Sequence, residues 1–155
     1  MRNPLKSLAK SNIAFFLLAF FPLILCGCSK LPTEHQTITG SDGKIKIPVS
    51  KVNDGNVHFF TYKKSGKRIN FFIRTDGTGK LSAYFDACFT CHKHKKGYIQ
   101  EGTEIVCIEC SMRFSLADEI FDNSEGCSPI KLFSLIDKEN IIIKTVDIEK
   151  GSKLF

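Results

Sequence analysis

Much that would mark out an enzyme or a nucleic-acid binder is missing from this sequence. It has no block of like charges, no low-complexity tract and no internal repeat. No phosphate-binding glycine loop, Ser/His/Asp-type nucleophilic arrangement or framed pair of carboxylates is present, so a hydrolase is disfavoured. No apolar run reaches the ~20 residues of a bilayer span. The longest, Ile13–Leu25, falls well short of it. At 155 residues the chain has room for one domain.

What charge there is lies unevenly. The chain carries 22 Lys plus Arg against 16 Asp plus Glu, but Arg2, Lys6 and Lys10 precede the apolar run with no acid among them. A basic start, a short apolar run and a small-residue exit read as a secretory signal over residues 1–27. Its removal leaves 19 cations against 16 acids, a balance of +3 in place of +6. The excess argues for export, and no nucleic-acid partner is expected. The signal closes on Leu25-Cys26-Gly27-Cys28, the pattern at which lipoprotein signal peptidase cuts. Cleavage before Cys28 makes Cys28 the lipidation residue and discards Cys26; the bland alternative is an uncleaved anchor with two idle cysteines. Two or more acyl chains suffice for stable anchoring. Residues 28–40 then form a polar tether, and residues 41–155 an extracytoplasmic domain held at the membrane as a lipoprotein.

That domain reads as mainly β. Lys44–Ile47 alternates, Asn53-Asp54-Gly55 signals a turn before Asn56–Tyr62, and Ser65-Gly66 precedes Arg68–Arg74. Asp76-Gly77-Thr78-Gly79 precedes Leu81–Phe85. Short β-branched and aromatic runs punctuated by glycine predict an antiparallel meander, with Phe59, Phe60, Phe71 and Phe72 in its core. Ser115–Gly126 reads as a polar, acidic loop with at most one helical turn. Ile130–Ile136 and Ile141–Ile148 are expected as strands around the turn Asp137–Asn140, and Gly151–Phe155 as a last short edge.

Five cysteines fall in the domain. Cys88-Phe89-Thr90-Cys91 is followed after 15 residues by Cys107-Ile108-Glu109-Cys110. Two C-x2-C knuckles at this distance fit a four-thiolate metal site. A two-residue gap lets the chain curl until both sulfurs face one centre with backbone N–H groups behind them. Two such pairs supply the tetrahedral sulfur set that suits zinc, a single iron or an iron–sulfur cluster. Four thiolates leave the site negative, and Lys93, Lys95, Lys96 and Arg113 flank it, as charge offset or simply as a solvated face. His92 is a candidate additional ligand. Cys127 is a candidate fifth ligand, a resolving thiol or a buried structural cysteine. Other readings of the cysteines remain open here. Cys88-Phe89-Thr90-Cys91-His92 is literally the attachment motif of c-type haem, with Met112 or His94 as a second axial ligand, though Cys107 and Cys110 are then unexplained. Cycling dithiols lack a thioredoxin-like context, and an inert disulfide framework is the fourth reading.

A family resemblance enters with particular residues. Asp86-Ala87-Cys88, Cys91, Lys96-Gly97-Tyr98, Glu101-Gly102, Ile105-Val106-Cys107, Cys110, Met112-Arg113-Phe114 and Gly126–Ile130 resemble the FtrD-like membrane iron–sulfur-containing family, over roughly Ser41–Phe155. The resemblance implies an extracytoplasmic iron–sulfur or metal-binding domain with Cys88, Cys91, Cys107 and Cys110 as ligands. It also implies ferrous iron uptake beside a membrane permease and a cupredoxin-like partner, with electrons passed across the iron-oxidation step. The chain departs from the family in two places. Members carry membrane spans ahead of this domain, where this chain has a lipoprotein-type signal, and Ser111 stands where a glycine is expected. The expected role is non-enzymatic electron transfer or metal handling in an iron-uptake or redox system. A structural zinc-ribbon-type interaction module is the alternative, and a c-type haem protein the second alternative.

Overall fold

Strand character starts with residues that alternate in burial. In Lys44–Pro48 the isoleucines Ile45 and Ile47 are buried and the lysines exposed, the period-two signature of a strand with one wet face. In the computed structural model of the chain, which describes residues 33–120 and 126–155, this strand (β2) is one of eleven. The others are β1 Gln36–Ile38, β3 His58–Lys64, β4 Lys67–Thr75, β5 Leu81–Cys88, β6 Tyr98–Glu101, β7 Glu104–Cys107, β8 Arg113–Ser115, β9 Pro129–Leu132, β10 Leu135–Asp137 and β11 Asn140–Lys144. One short helix, α1 Thr145–Lys150, follows. The expected signal peptide, with Cys26 and the lipidation residue Cys28, lies outside the described residues.

The strands form three sheets among the described residues, in the orders β1-β3-β4-β5-β9, β10-β11-β2 and β6-β7-β8. The first contains the expected meander, since β3, β4 and β5 pair antiparallel in sequence order. It stands in the middle, which is why β4 and β5 are buried on both faces. On one face Phe60, Phe71, Ile73, Ala83 and Phe85 meet Ile45, Ile47, Ile141 and Ile143 of the β2–β11 sheet. On the other, Phe72 and Tyr84 meet Tyr98, Ile105 and Cys107 of the β6–β7 sheet. The four phenylalanines therefore pack as expected but divide between two cores: Phe60 stacks on Phe71, and Phe59 packs tilted against Phe72. Fully burying one such ring is worth about 1.5–3 kcal/mol.

Four local expectations are corrected. Lys44–Ile47 is not part of the meander but pairs with β11 in the second sheet. The run Ile130–Ile136 is two strands. Its first half pairs with β5 and its second with β11, so the chain changes sheets at Phe133-Ser134. The run Ile141–Ile148 stays extended only to Lys144 and then coils into α1. Burial shows the switch: Ile141 and Ile143 alternate inward, and the next buried side chain is Ile148. The β-branched pair Thr145-Val146 disguised it; Asp147 and Lys150, paired at 2.6 Å, stabilise the turn. Gly151–Leu154 is a 3-10 turn, not an edge strand. A Cβ at Gly151 would stand 2.2 Å from the Phe85 ring, so only glycine lets the turn close on the sheet.

Two further contacts matter for the site. The segment expected as tether contributes β1, which pairs in parallel with β3. The loop after β8 is clamped by Arg74, almost fully buried, whose guanidinium donates to the carbonyls of Ser115, Leu116 and Asp118.

Candidate metal centre

Both knuckles begin on the last residue of a strand. Cys88 ends β5 and is paired with Pro129 of β9; Cys107 ends β7 and is paired with Tyr98 of β6. Along β5 the side chains of Tyr84, Asp86 and Cys88 share a face, because successive residues alternate sides. That face is the one covered by β6 and β7, so the ladder itself brings the first thiol to the second pair.

Past each strand the chain curls in the same way. The Cys91 N–H donates to Cys88 Sγ at 3.4 Å, and the Glu109 and Cys110 N–H groups donate to Cys107 Sγ. Each curl then needs a left-handed residue. In the first it is Lys95, at φ 53°, after the 3-10 turn His92–His94. In the second it is Ser111, at φ 59°. The glycine expected at Ser111 is thus explained, because the serine occupies the conformation that glycine adopts without cost. Its reversal aims the Met112 N–H at Cys110 Sγ.

The result is a convergence of sulfur. The Sγ atoms of Cys88, Cys91, Cys107 and Cys110 all lie within 4.8 Å of one another. Cys88 and Cys107 are buried, Cys91 is half-buried and Cys110 is exposed. Burial and neighbouring groups set the proton affinities of three of them. Burial pushes the Cys107 thiol up to about 11 and raises Cys91 further, while neighbouring thiols add to both. Burial also acts on Cys110, but the Met112 N–H and the thiols of Cys127, Cys107 and Cys91 outweigh it and hold it at about 7. Of the shifted thiols, Cys110 alone is held below its usual value. Four soft thiolates with N–H groups behind them fit an iron–sulfur cluster or another metal ion, iron or zinc, and binding would displace the protons of the rest.

Cys127 is brought to the rim of this group. Thr90 Oγ1 donates to Gly126 O at 2.6 Å, the Phe89 N–H to Ser128 O at 3.0 Å and Tyr98 Oη to Cys127 O at 2.9 Å. Its sulfur contacts those of Cys110 and Cys91, and hydrogen bonding to Cys110 with partial burial lifts its thiol to about 11. It is not one of the four mutually close sulfurs.

The histidines and cations sort themselves differently. His92 Nδ1 lies 2.8 Å from Phe89 O. Lys96 Nζ stands 2.7 Å from Glu109 Oε2, an ion pair across the two knuckles, with His94 Nδ1 at 3.8 Å from the other oxygen. Arg113 is engaged by Glu101 and Glu104 at 2.6 and 2.9 Å. Lys93 and Lys95 are exposed. Phe89 and Met112, flanking Cys88 and Cys110, are exposed apolar side chains.

Sequence reading missed one group beneath the site. His35 Nε2 lies 2.8 Å from Asp86 Oδ2, and the Tyr98 N–H donates to Oδ1 at 2.7 Å. His35 Nδ1 faces Thr33 O at 2.8 Å and so carries a proton. A second proton then lies between Nε2 and the carboxyl. Burial pushes Asp86 above the usual carboxylate range, against the pull of His35 and Tyr98. A Cβ at Gly97 would come within 2.5 Å of this carboxylate, and Gly97 also has φ +68°. The residues Asp86 and Gly97 had been noted for their resemblance; nothing in the sequence tied them to His35.

Among the described residues no helix is long and apolar enough to cross a membrane. Comparison with curated proteins gives no match. The family model described as membrane iron–sulfur-containing protein, FtrD-like, matches residues 52–155, which takes in both knuckles, Cys127 and every strand from β3 onward. The chain belongs to the FtrD-like family of membrane iron–sulfur-containing proteins.

Proposed function

We propose that this chain is a lipid-anchored, extracytoplasmic electron-transfer protein serving a membrane iron-uptake or redox system, with its centre on Cys88, Cys91, Cys107 and Cys110. The observation that carries this reading is the four-sulfur convergence with a graded exposure, buried at Cys88 and Cys107 and open at Cys110. A bound iron centre supplies one-electron exchange. The protein's part is to hold the thiolates, shield the two buried ones and present the fourth. Cys110, with Phe89 and Met112 exposed on the two knuckles and Lys93 and Lys95 exposed nearby in sequence, supports a contact face for a permease or redox partner. Four convergent thiols also favour a ligand set over haem attachment, which would use one pair and strand the other.

The test is reversible redox chemistry on protein isolated anaerobically. Broad visible absorption near about 400 nm that bleaches on reduction and returns on oxidation is expected. Loss of metal from the double variant Cys107→Ser/Cys110→Ser would accompany it; unchanged metal content in that variant sinks the assignment. One observation favours the structural zinc module as a second reading: Cys88 and Cys107 belong to the apolar core itself. A colourless protein holding zinc and inert to reductants would decide for it.

A further inference from the structure

Resting on the metal-centre reading above, we infer that the site is built for a single metal ion bound by four thiolates, and that Cys127 stands outside that ligand set. A tetrahedral site with metal–sulfur bonds of ~2.3 Å has sulfur–sulfur edges of about 3.8 Å. The four sulfurs here, none more than 4.8 Å from any other, are within about 1 Å of that figure. A four-iron cluster puts each thiolate on a different corner of an iron–sulfide cube, which holds the thiolates ~6 Å or more apart. A two-iron cluster likewise sets one pair of thiolates at each end.

Two of the four positions are fixed by the sheets. Cys88 and Cys107 are 2% and 1% exposed and are fixed by strand pairing to Pro129 and Tyr98. The Ile108 N–H donates to Gly97 O at 3.0 Å, and Lys96 pairs with Glu109 at 2.7 Å, so the second knuckle is tied to the loop that follows the first. Cys127 touches Cys110 and Cys91 from the rim, where it serves as a neighbouring thiol and not as a fifth bond.

The deciding experiment takes the full chain, extracted from membranes without oxygen, and measures metal per chain and acid-labile sulfide on one sample. One iron or one zinc per chain with no labile sulfide is the expected result. Two or four irons with matching sulfide would overturn the inference while leaving the metal-centre reading intact. A metal-free sample with its thiols paired would overturn both. Cobalt substitution supplies a readout independent of function. The Co(II) form should show tetrahedral tetrathiolate bands, unchanged in Cys127→Ser and about a quarter weaker in charge-transfer intensity in Cys110→Ser. Full intensity retained in Cys110→Ser, lost again on adding Cys127→Ser, would put Cys127 in the ligand set and overturn that part of the assignment.

Discussion

The two cores on either face of the central sheet are held together differently. One is aliphatic: Ile45, Ile47, Ile141, Ile143 and Ile148 close over Phe71 and Phe60, with no thiol or metal ligand among them. The other is aromatic and sulfur-bearing: Phe72, Tyr84 and Tyr98 pack against Cys88 and Cys107. The first is complete once its side chains are buried. The second includes Cys88 and Cys107, two of the four proposed ligands, so its packing and the occupancy of the proposed centre would be one equilibrium. A small sheet such as β6–β8, whose core is shared with the proposed ligands, would draw its stability from a bound ion as much as from burial.

Stripping the metal should separate the two faces most sharply. A strong chelator is expected to lower stability by on the order of 5 kcal/mol or more. Hydrogen exchange should then show β6–β8 losing protection first, while β2 and β11 stay protected. Equal loss in both sheets would mean that the cores are not separable.

Neighbouring phenylalanines on opposite faces sharpen the point. Phe71→Ala and Phe72→Ala should each cost about 3–5 kcal/mol. Only Phe72→Ala should also hasten metal loss to a chelator, since Phe71 lies in the other core. Matching release rates would argue against the division.

His35→Ala probes the sulfur-bearing face from beneath, at a cost of about 2 kcal/mol from leaving a buried carboxyl without its partner. It also removes a pull that holds the Asp86 carboxyl down. A carboxyl whose folded value is raised favours the folded state at low pH and costs stability as pH climbs through that value. The deficit of His35→Ala should therefore widen from the carboxylate range towards neutrality, as read from urea midpoints across pH. A constant deficit would mean that the pair does not share its proton as the geometry requires.

The smallest effect is expected at Ser111→Gly. Relieving a left-handed serine should stabilise the second knuckle by about 0.5–1 kcal/mol, visible as slower metal release. Faster release would show that the serine side chain contributes something that its backbone strain conceals.

Spacing alone carried the centre, because C-x2-C is a local geometry and its four sulfurs do converge. β-branched and aromatic runs punctuated by glycine carried the meander, and the glycine expected at position 111 from the resemblance matches a left-handed backbone that serine fills. What escaped were contacts made across the chain. His35 meets Asp86 from 51 residues away, and no local pattern marks a histidine in a polar segment as a buried partner. Nothing local marks Arg74, the last residue of the run Arg68–Arg74, as buried; its three carbonyl partners, supplied by a later loop, allow it to be so. The helix at Thr145–Lys150 was hidden by β-branched residues whose strand preference the switch in burial overrode.

The closeness of the sulfurs has a consequence for how the protein is made. Groups near enough to share an ion are near enough to be joined to each other, and Cys110, the exposed one and the one held below its usual thiol value, touches Cys127. Maturation is then a race. If the ion arrives first, the reactive sulfur is occupied and the sheet closes around it; if an oxidant arrives first, that same sulfur is where the wrong bond starts. On the metal-centre reading, the order of arrival, and not affinity alone, would set how much of the protein becomes competent.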